Sequence, residues 1–423
     1  MLGSVSVIPH FCPFSPANLH TFMQRNSLLL LCFLAFCACN TKKTETNDDY
    51  LARAHELLKT TMIVDTHIDF PWHLVEYKKW YKPGYTAWAL KNPDGNFDYE
   101  RAKAGGLSGP FMSIYIPADF QKAPGRSRQV ADSLIDMVYA IVKDYPDKFA
   151  IPTQSGDLRE NFKKGIISLP MGMENGSPIE RISDVAYFHQ RGIRYVTLTH
   201  GKDNQISDSS YDTLHTHHGL SKFGREVVRE MNKVGIMVDV SHLSDEAIWD
   251  VLEEAKKPLI ATHSGCRHFT PNFERNLSDT LIKAIAQTKG VIQVPFSQYF
   301  LGGKVRAAWQ KADSLREALK LPEFGPETTA FIKDFAQKNG EPFWISVREV
   351  ADHIDYIKKL VGIDYVGLGS DFDGVGAALP PDLADVSMYP NLVAELLRRG
   401  YTDTEVRKVC SGNVMRVWRV NEQ

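Results

Sequence analysis

Cysteine is scarce once the first 39 residues are set aside: of six in the chain, only Cys266 and Cys410 lie beyond Cys39. Two thiols could pair with each other, but they make no disulfide framework. An excess of one charge is also missing. The 49 basic and 51 acidic residues leave a net charge of -2, with no basic stripe, which argues against a nucleic-acid partner. No glycine-rich phosphate loop follows the first strand-like run, "MIVDTHID" at residues 62–69. That weakens the dinucleotide-binding form of a doubly wound sheet, the runner-up architecture. What the chain does have is length and apolar content: 423 residues, 43% of them hydrophobic, enough to bury a large core.

The N-terminal apolar run, Leu28 to Ala38, is too short for a comfortable membrane span. It follows Met23 and Arg25 and ends in Ala38-Cys39, the pattern of a short charged region, an apolar region and a lipoprotein-type cysteine. Residues 1–39 therefore read as a leader, with Met23 as the expected start and Cys39 as the lipidated residue. An ordinary cleaved export signal is the alternative. Residues 40–49 are polar and read as a tether. The expected location is the cell envelope: a lipoprotein held to the membrane by its N-terminal lipid and facing the periplasm or the cell surface.

From residue 50 to 423, short β-rich runs alternate with amphipathic segments. The runs are "MIVDTHID", "GPFMSIYIP", "IISLPMGME", "RYVTLTH", "IMVDVSH", "LIATHS", "VIQVPF" and "YVGLGSDFD". Most are continuously apolar, which suits strands buried on both faces of a parallel sheet. Between them, Phe223, Val227, Met231 and Val234 share one helical face, and Gly235 can end that helix. Ser346 and Glu349 form a capping box ahead of the stripe Val350, Ile354, Ile357 and Val361. Eight strands with helices between most of them point to an α/β fold, a (β/α)8 TIM-like barrel.

In such a barrel, catalytic groups gather at the C-terminal ends of the strands. Six of the eight runs end in a group suited to metal binding or proton transfer: His67 with Asp69, Glu174, His200, His242, His263 and Asp371. Two positions apart on a strand, His67 and Asp69 would point the same way, and Asp65 would support them from deeper in the barrel. Histidine nitrogen with carboxylate oxygen favours zinc, with manganese or cobalt open. Glu174 could bridge two metal ions, with His242 and His263 completing the second. Two ions sharing a carboxylate and a water would give a hydroxide nucleophile and a polarised carbonyl, machinery for hydrolysing an amide or ester.

Each residue also has a plainer reading. A lone histidine at a strand end is more often a hydrogen-bonder than a ligand, and Glu174 could simply begin a turn at Asn175-Gly176. "HTHH", with His215, His217 and His218, resembles a metal tract but lies in a polar loop and reads as solvated. His73, His189 and His353 are expected in packing or surface roles.

The segments "VDTHID", "MGMENG", "RYVTLTH", "VDVSHLS", "PLIATHS", "RNLSD" and "VGLGSDFDG" resemble, in order and spacing, those of the membrane (renal) dipeptidases. The resemblance covers about residues 50 to 420. It implies a barrel of the metal-dependent hydrolase type that cleaves dipeptides, L,L or L,D, with two zinc ions per chain. It places His67, Asp69 and Glu174 on one zinc and Glu174, His242 and His263 on the other. It makes Asp371 the general acid/base, lets His200 steady the carbonyl, and gives Arg275 the substrate carboxylate. It also suggests a homodimer. The segment from Leu301 to Pro342 is longer than its counterpart in the animal enzymes. It follows the seventh strand, so it is expected on the active-site face. Two alternatives stand beside this reading. One is another metal-dependent amidohydrolase, acting on a lactone or cyclic amide, although such barrels carry H-x-H on the first strand where this chain has H-x-D. The other is a peptide-binding lipoprotein without catalysis.

Overall fold

The eight apolar runs become eight parallel strands that close on themselves. The computed structural model describes residues 46–423 other than positions 81, 323, 324 and 341. Its strands are β1 (Ile63–Ile68), β2 (Leu107–Tyr115), β3 (Phe149–Ala150), β4 (Ile167–Ser168), β5 (Met171–Glu174), β6 (Ile193–Thr197), β7 (Met237–Asp239), β8 (Ile260–Ala261), β9 (Val291–Val294) and β10 (Val366–Leu368). Around the barrel the order is β1-β10-β9-β8-β7-β6-β5-β2. Every residue of β1, β5, β6 and β9 is buried. That explains the continuous apolar runs: helices cover the outer face, and side chains fill the interior.

One run divides. "IISLPMGME" supplies two strands, because β4 pairs with β3 in a separate two-stranded sheet before β5 enters the barrel. Pro170 lies at the break and has no N–H to donate. Its carbonyl still accepts from Met112 N at 2.8 Å.

The floor of the barrel is apolar. Val64, Phe111, Tyr195, Met237, Ile260 and Val291 come from six strands and meet Val414, Val417 and Trp418 of the helix Asn413–Asn421. Phe111 lies 5.2 Å from Trp418 and 5.5 Å from Tyr195 between ring centres. Gly172 makes room for this column: a Cβ there would sit 1.9 Å from Tyr195 Cζ.

The helices start and stop where their sequences indicate. Ser221 caps the helix Lys222–Val234 by accepting from Gly224 N, and Gly235 ends it at φ 94°. The Ser346–Glu349 capping box opens the helix Val347–Val361, which buries Val350, His353, Ile354 and Ile357. After β9, the helices Gly303–Ala318 and Pro326–Lys338 form the long insert. It is anchored by Trp309, whose Nε1 donates to Phe343 O at 2.9 Å and whose ring stacks on Phe343 at 4.6 Å.

The leader and Cys39 lie outside the described residues, as does the tether as far as residue 45. The helix Asn47–Leu58 begins within the stretch assigned to the tether, and it packs on the helix Tyr389–Arg398. Asp48 and Asp49 in its first turn complement the helix dipole. Cys266 and Cys410 are free and buried, so the bridge they could form is not made. Among the described residues no helix is long and apolar enough to cross a membrane.

Candidate active site

Glu174 ends β5 at the centre of the barrel mouth, and four histidines surround its carboxylate. Oε2 lies 3.3 Å from His67 Nε2. Oε1 lies 3.1 Å from His242 Nε2, 3.3 Å from His263 Nε2 and 3.8 Å from His200 Nε2. One oxygen thus serves the β1 side of the cluster, and the other serves the β6–β8 side. Asp69 Oδ2 approaches His67 Nε2 at 3.3 Å.

The histidines and acids stand just beyond their strands more often than on them. β6 ends at Thr197, β7 at Asp239, β8 at Ala261 and β10 at Leu368, so His200, His242, His263 and Asp371 lie two or three residues further on. Asp69 is not on β1 either. It is the N-cap of the helix Phe70–Glu76, and that turn, rather than strand alternation, brings its carboxylate to His67. His242 and Asp371 adopt left-handed backbone, at φ 69° and 67°. Such a conformation costs a non-glycine residue about 1–2 kcal/mol and is concentrated at functional sites. Gly374 leaves room for both acids: a Cβ there would lie 2.2 Å from Asp69 Oδ2 and 2.7 Å from Asp371 Oδ1.

Charge inside the cluster is strongly redistributed. Burial pushes the Glu174 carboxyl up, but His67, His200, His242 and His263 outweigh it and hold the group well below the usual carboxylate range. Burial would lower His67, yet Tyr195, Glu174 and Asp69 raise it well above the ordinary imidazole value. Burial, with Arg275 nearby, holds His242 and His263 well below it. Burial lifts Asp371 to about 8, with Asp69 and Glu174 adding to the rise and His67 and Arg275 opposing it.

The donor set fits a metal centre. His67 Nε2, Asp69 Oδ1 and His242 Nδ1 are buried without a hydrogen-bond partner. The Nε2 atoms of His242 and His263 face each other at 2.8 Å beside one carboxylate oxygen. Three groups bring their ligand atoms within 4.8 Å of one another: His67, Glu174 and His263; Glu174, His200 and His242; and His67, Asp69 and Asp371. Mixed imidazole and carboxylate donors suit zinc and similar divalent ions.

A model of the membrane dipeptidase family, peptidase family M19, matches residues 51–423. The chain belongs to that family. Its activity is the metal-dependent hydrolysis of dipeptides. "Dipeptidase tcpJ" of Claviceps purpurea is 32% identical over 336 residues, 78% of this chain and 70% of the relative. The crystal structure of the probable dipeptidase PvdM from Pseudomonas aeruginosa superposes with a TM-score of 0.75 at 27% identity, covering 89% of this chain and 99% of that one. A metallo peptidase from Rhodobacter sphaeroides, liganded with a phosphinate mimic of the dipeptide L-Ala-D-Ala, gives a TM-score of 0.69 at 25% identity, covering 86% and 99%.

The dipeptidase also holds its metal-type residues from behind, through Asp65, as expected, and through Tyr195, Thr262 and Asp239, which the sequence did not single out. His67 Nδ1 lies 2.9 Å from Tyr195 Oη, so with Nε2 facing the cluster, Nδ1–H donates to the phenol. His263 Nδ1 makes the equivalent bond to Thr262 Oγ1 at 2.8 Å, and Thr262 donates onward to Asp239 Oδ2 at 2.6 Å. Tyr195 and Asp239 are polar letters inside apolar runs, which was the available signal. Asp65 acts through backbone: it accepts from His67 N at 2.9 Å and Ser370 N at 3.0 Å, and also from Tyr389 Oη.

Arg275 is buried and faces inward. It donates to Ser264 Oγ at 3.0 Å, His263 O at 2.9 Å and His242 Nε2 at 3.0 Å. "HTHH" stays outside the cluster: His217 Nε2 bonds Asn204 O at 2.8 Å, and none of its three histidines joins a metal-type group among the described residues. His353 accepts from Cys266 N at 3.0 Å through Nδ1, and its Nε2 lies 3.2 Å from Leu301 O. The catalytic cavity, about 270 Å³, is walled by Trp72, Tyr115, His200, Tyr211 and Phe300 above Glu174 and Asp371.

Proposed function

We propose that the protein cleaves free dipeptides, L,L or L,D, with two zinc ions. His67, Asp69 and Glu174 would hold one, and Glu174, His242 and His263 the other. The division of the two Glu174 oxygens between His67 and the His242–His263 pair carries this reading. When bound, the two ions supply a water acidified toward neutral pH and a Lewis acid for the scissile carbonyl.

The chain's own residues do the rest. Arg275 Nη2 now donates to the His242 Nε2 lone pair. Committing that lone pair to a ligand role frees Nη2 to grip the substrate's C-terminal carboxylate, which a guanidinium can hold bidentately. His200, a quarter exposed at the cavity wall, donates to the carbonyl oxygen as it gains negative charge. Asp371 takes the proton of the attacking water and returns it to the leaving amine nitrogen. Asp371→Asn should cut turnover roughly 100- to 10,000-fold while metal content stays at the wild-type value; full activity in that variant would remove Asp371 from the proton path.

The deciding assay is amino-acid release by residues 40–423 from L,L- and L,D-dipeptides and N-acetylated controls, with zinc and after chelation. Chelator-sensitive cleavage of the free dipeptides alone is expected. No cleavage of any dipeptide by the zinc-loaded protein would overturn the reading. We also propose an envelope lipoprotein anchored through Cys39, supported by the apolar run and small residues ahead of it. Palmitate labelling of the full chain, lost in Cys39→Ala, is the expected result. A homodimer, checked by sedimentation, is the proposed assembly.

A further inference from the structure

A second cavity, of about 340 Å³, adjoins the catalytic one, and the two share Tyr211, Phe300, Gly374 and Val375. Its far wall comes from the insert after β9 and includes Arg306, Trp309 and Ile332. A file of planar groups links the two. The Arg275 guanidinium lies 5.1 Å from the Phe300 ring centre. Phe300 stacks on Phe273 at 6.1 Å and 8°. The Arg306 guanidinium sits 3.7 Å over Phe273. The file starts beside His242 and ends in the second cavity.

The two cations of that cavity differ. Arg316 is matched internally, to Asp313 at 3.3 Å and Glu317 at 3.5 Å. The Arg306 guanidinium has no hydrogen bond or ion pair among the described residues, only the face of Phe273. Burial lowers its pKa, and the opposing influence comes from the Tyr211 phenol rather than from a carboxylate. A partly buried cation stacked on a ring recovers some of its lost hydration, but an anion would recover more. A negative side chain entering the second cavity would meet a guanidinium that no carboxylate of the described residues pairs.

We infer that the second cavity is the subsite for the side chain of the dipeptide's C-terminal residue, and that Arg306 selects an acidic residue, aspartate or glutamate, at that position. The inference rests on the proposed function, because Arg275 holding the α-carboxylate is what turns the C-terminal residue toward Arg306. The insert thereby becomes a specificity element, built outside the barrel from a segment whose described residues join no metal-type group.

The test is kcat/KM for Ala-Glu against Ala-Gln, each with L and D second residues, in the wild type, Arg306→Ala and Arg306→Lys, with Ala-Ala as reference. The Glu/Gln ratio is read within each variant, so a loss of folded enzyme cancels. A wild-type ratio of about tenfold or more is expected, falling to near one in Arg306→Ala and partly restored in Arg306→Lys. The difference should lie mainly in KM. Cleavage of Ala-Ala with no preference for Ala-Glu, or a preference that survives Arg306→Ala, would overturn this inference and leave the dipeptidase reading standing. Failure to cleave any of these dipeptides, Ala-Ala included, would overturn both.

Discussion

Three histidines crowd into positions 215 to 218 and join no metal-type group among the described residues, whereas His67, Asp69, Glu174, His242 and His263, scattered over some 200 positions, converge on one carboxylate. The difference is one of support. Of the loop histidines, His217 spends a ring nitrogen on backbone, at Asn204 O. Those at the barrel mouth are buried, and their inner nitrogens are tied to groups rooted in the strands: Tyr195 for His67, and Thr262 with Asp239 for His263. An imidazole ligand is steadied by a fixed proton behind its inward lone pair, and His67 and His263 have that support where the loop histidines show none.

Removing the centre of the converging set is the hardest blow to that comparison. Glu174→Gln should lower turnover on the order of a thousandfold, because one group is lost from both proposed metal sites at once; steady-state kinetics with excess zinc measures it. Loosening the support should cost less. Tyr195→Phe removes the acceptor behind His67 and is expected to weaken metal binding roughly 10- to 100-fold, read by competition with a chelating dye. Unchanged affinity would make the phenol a packing group only.

His353 is a third kind of histidine, neither ligand nor solvated. Burial depresses its pKa from 6.5 to about 4. Below pH 6.5 the unfolded chain binds a proton that the folded one refuses. The stability contributed by the neutral ring is therefore complete above pH 6.5 and is lost as pH falls toward 4, a change on the order of 3 kcal/mol. Protonated Nδ1 would also face the Cys266 N–H it now accepts from. Thermal unfolding should show His353→Gln, which can keep both hydrogen bonds, losing less stability than the wild type between pH 7 and 4.5. The smallest effect belongs to the loop: replacing His215, His217 and His218 together by alanine should leave zinc content and turnover within about twofold.

Much of this was readable from the letters. All eight barrel strands were legible because burial on both faces leaves an unbroken apolar run, and the groups that end those runs are the ones that meet. Asp69 shows where period-two reasoning stops, since the strand ends at Ile68 and a helix cap takes over. β3 and β4 have two residues each, too few to show any period. The left-handed turns at His242 and Asp371 were hidden because no glycine or asparagine announces them. Arg275 was legible only through family likeness. Its inward contacts to Ser264 and His242 depend on tertiary packing that no local pattern encodes.

Crystals of the zinc-soaked protein, examined by anomalous scattering at the zinc edge, test the central claim most directly. Two peaks are predicted, one against each Glu174 oxygen, with His67 and Asp69 on one and His242 and His263 on the other. A single peak that does not touch Glu174, or a full-occupancy peak at residues 215–218, would contradict it.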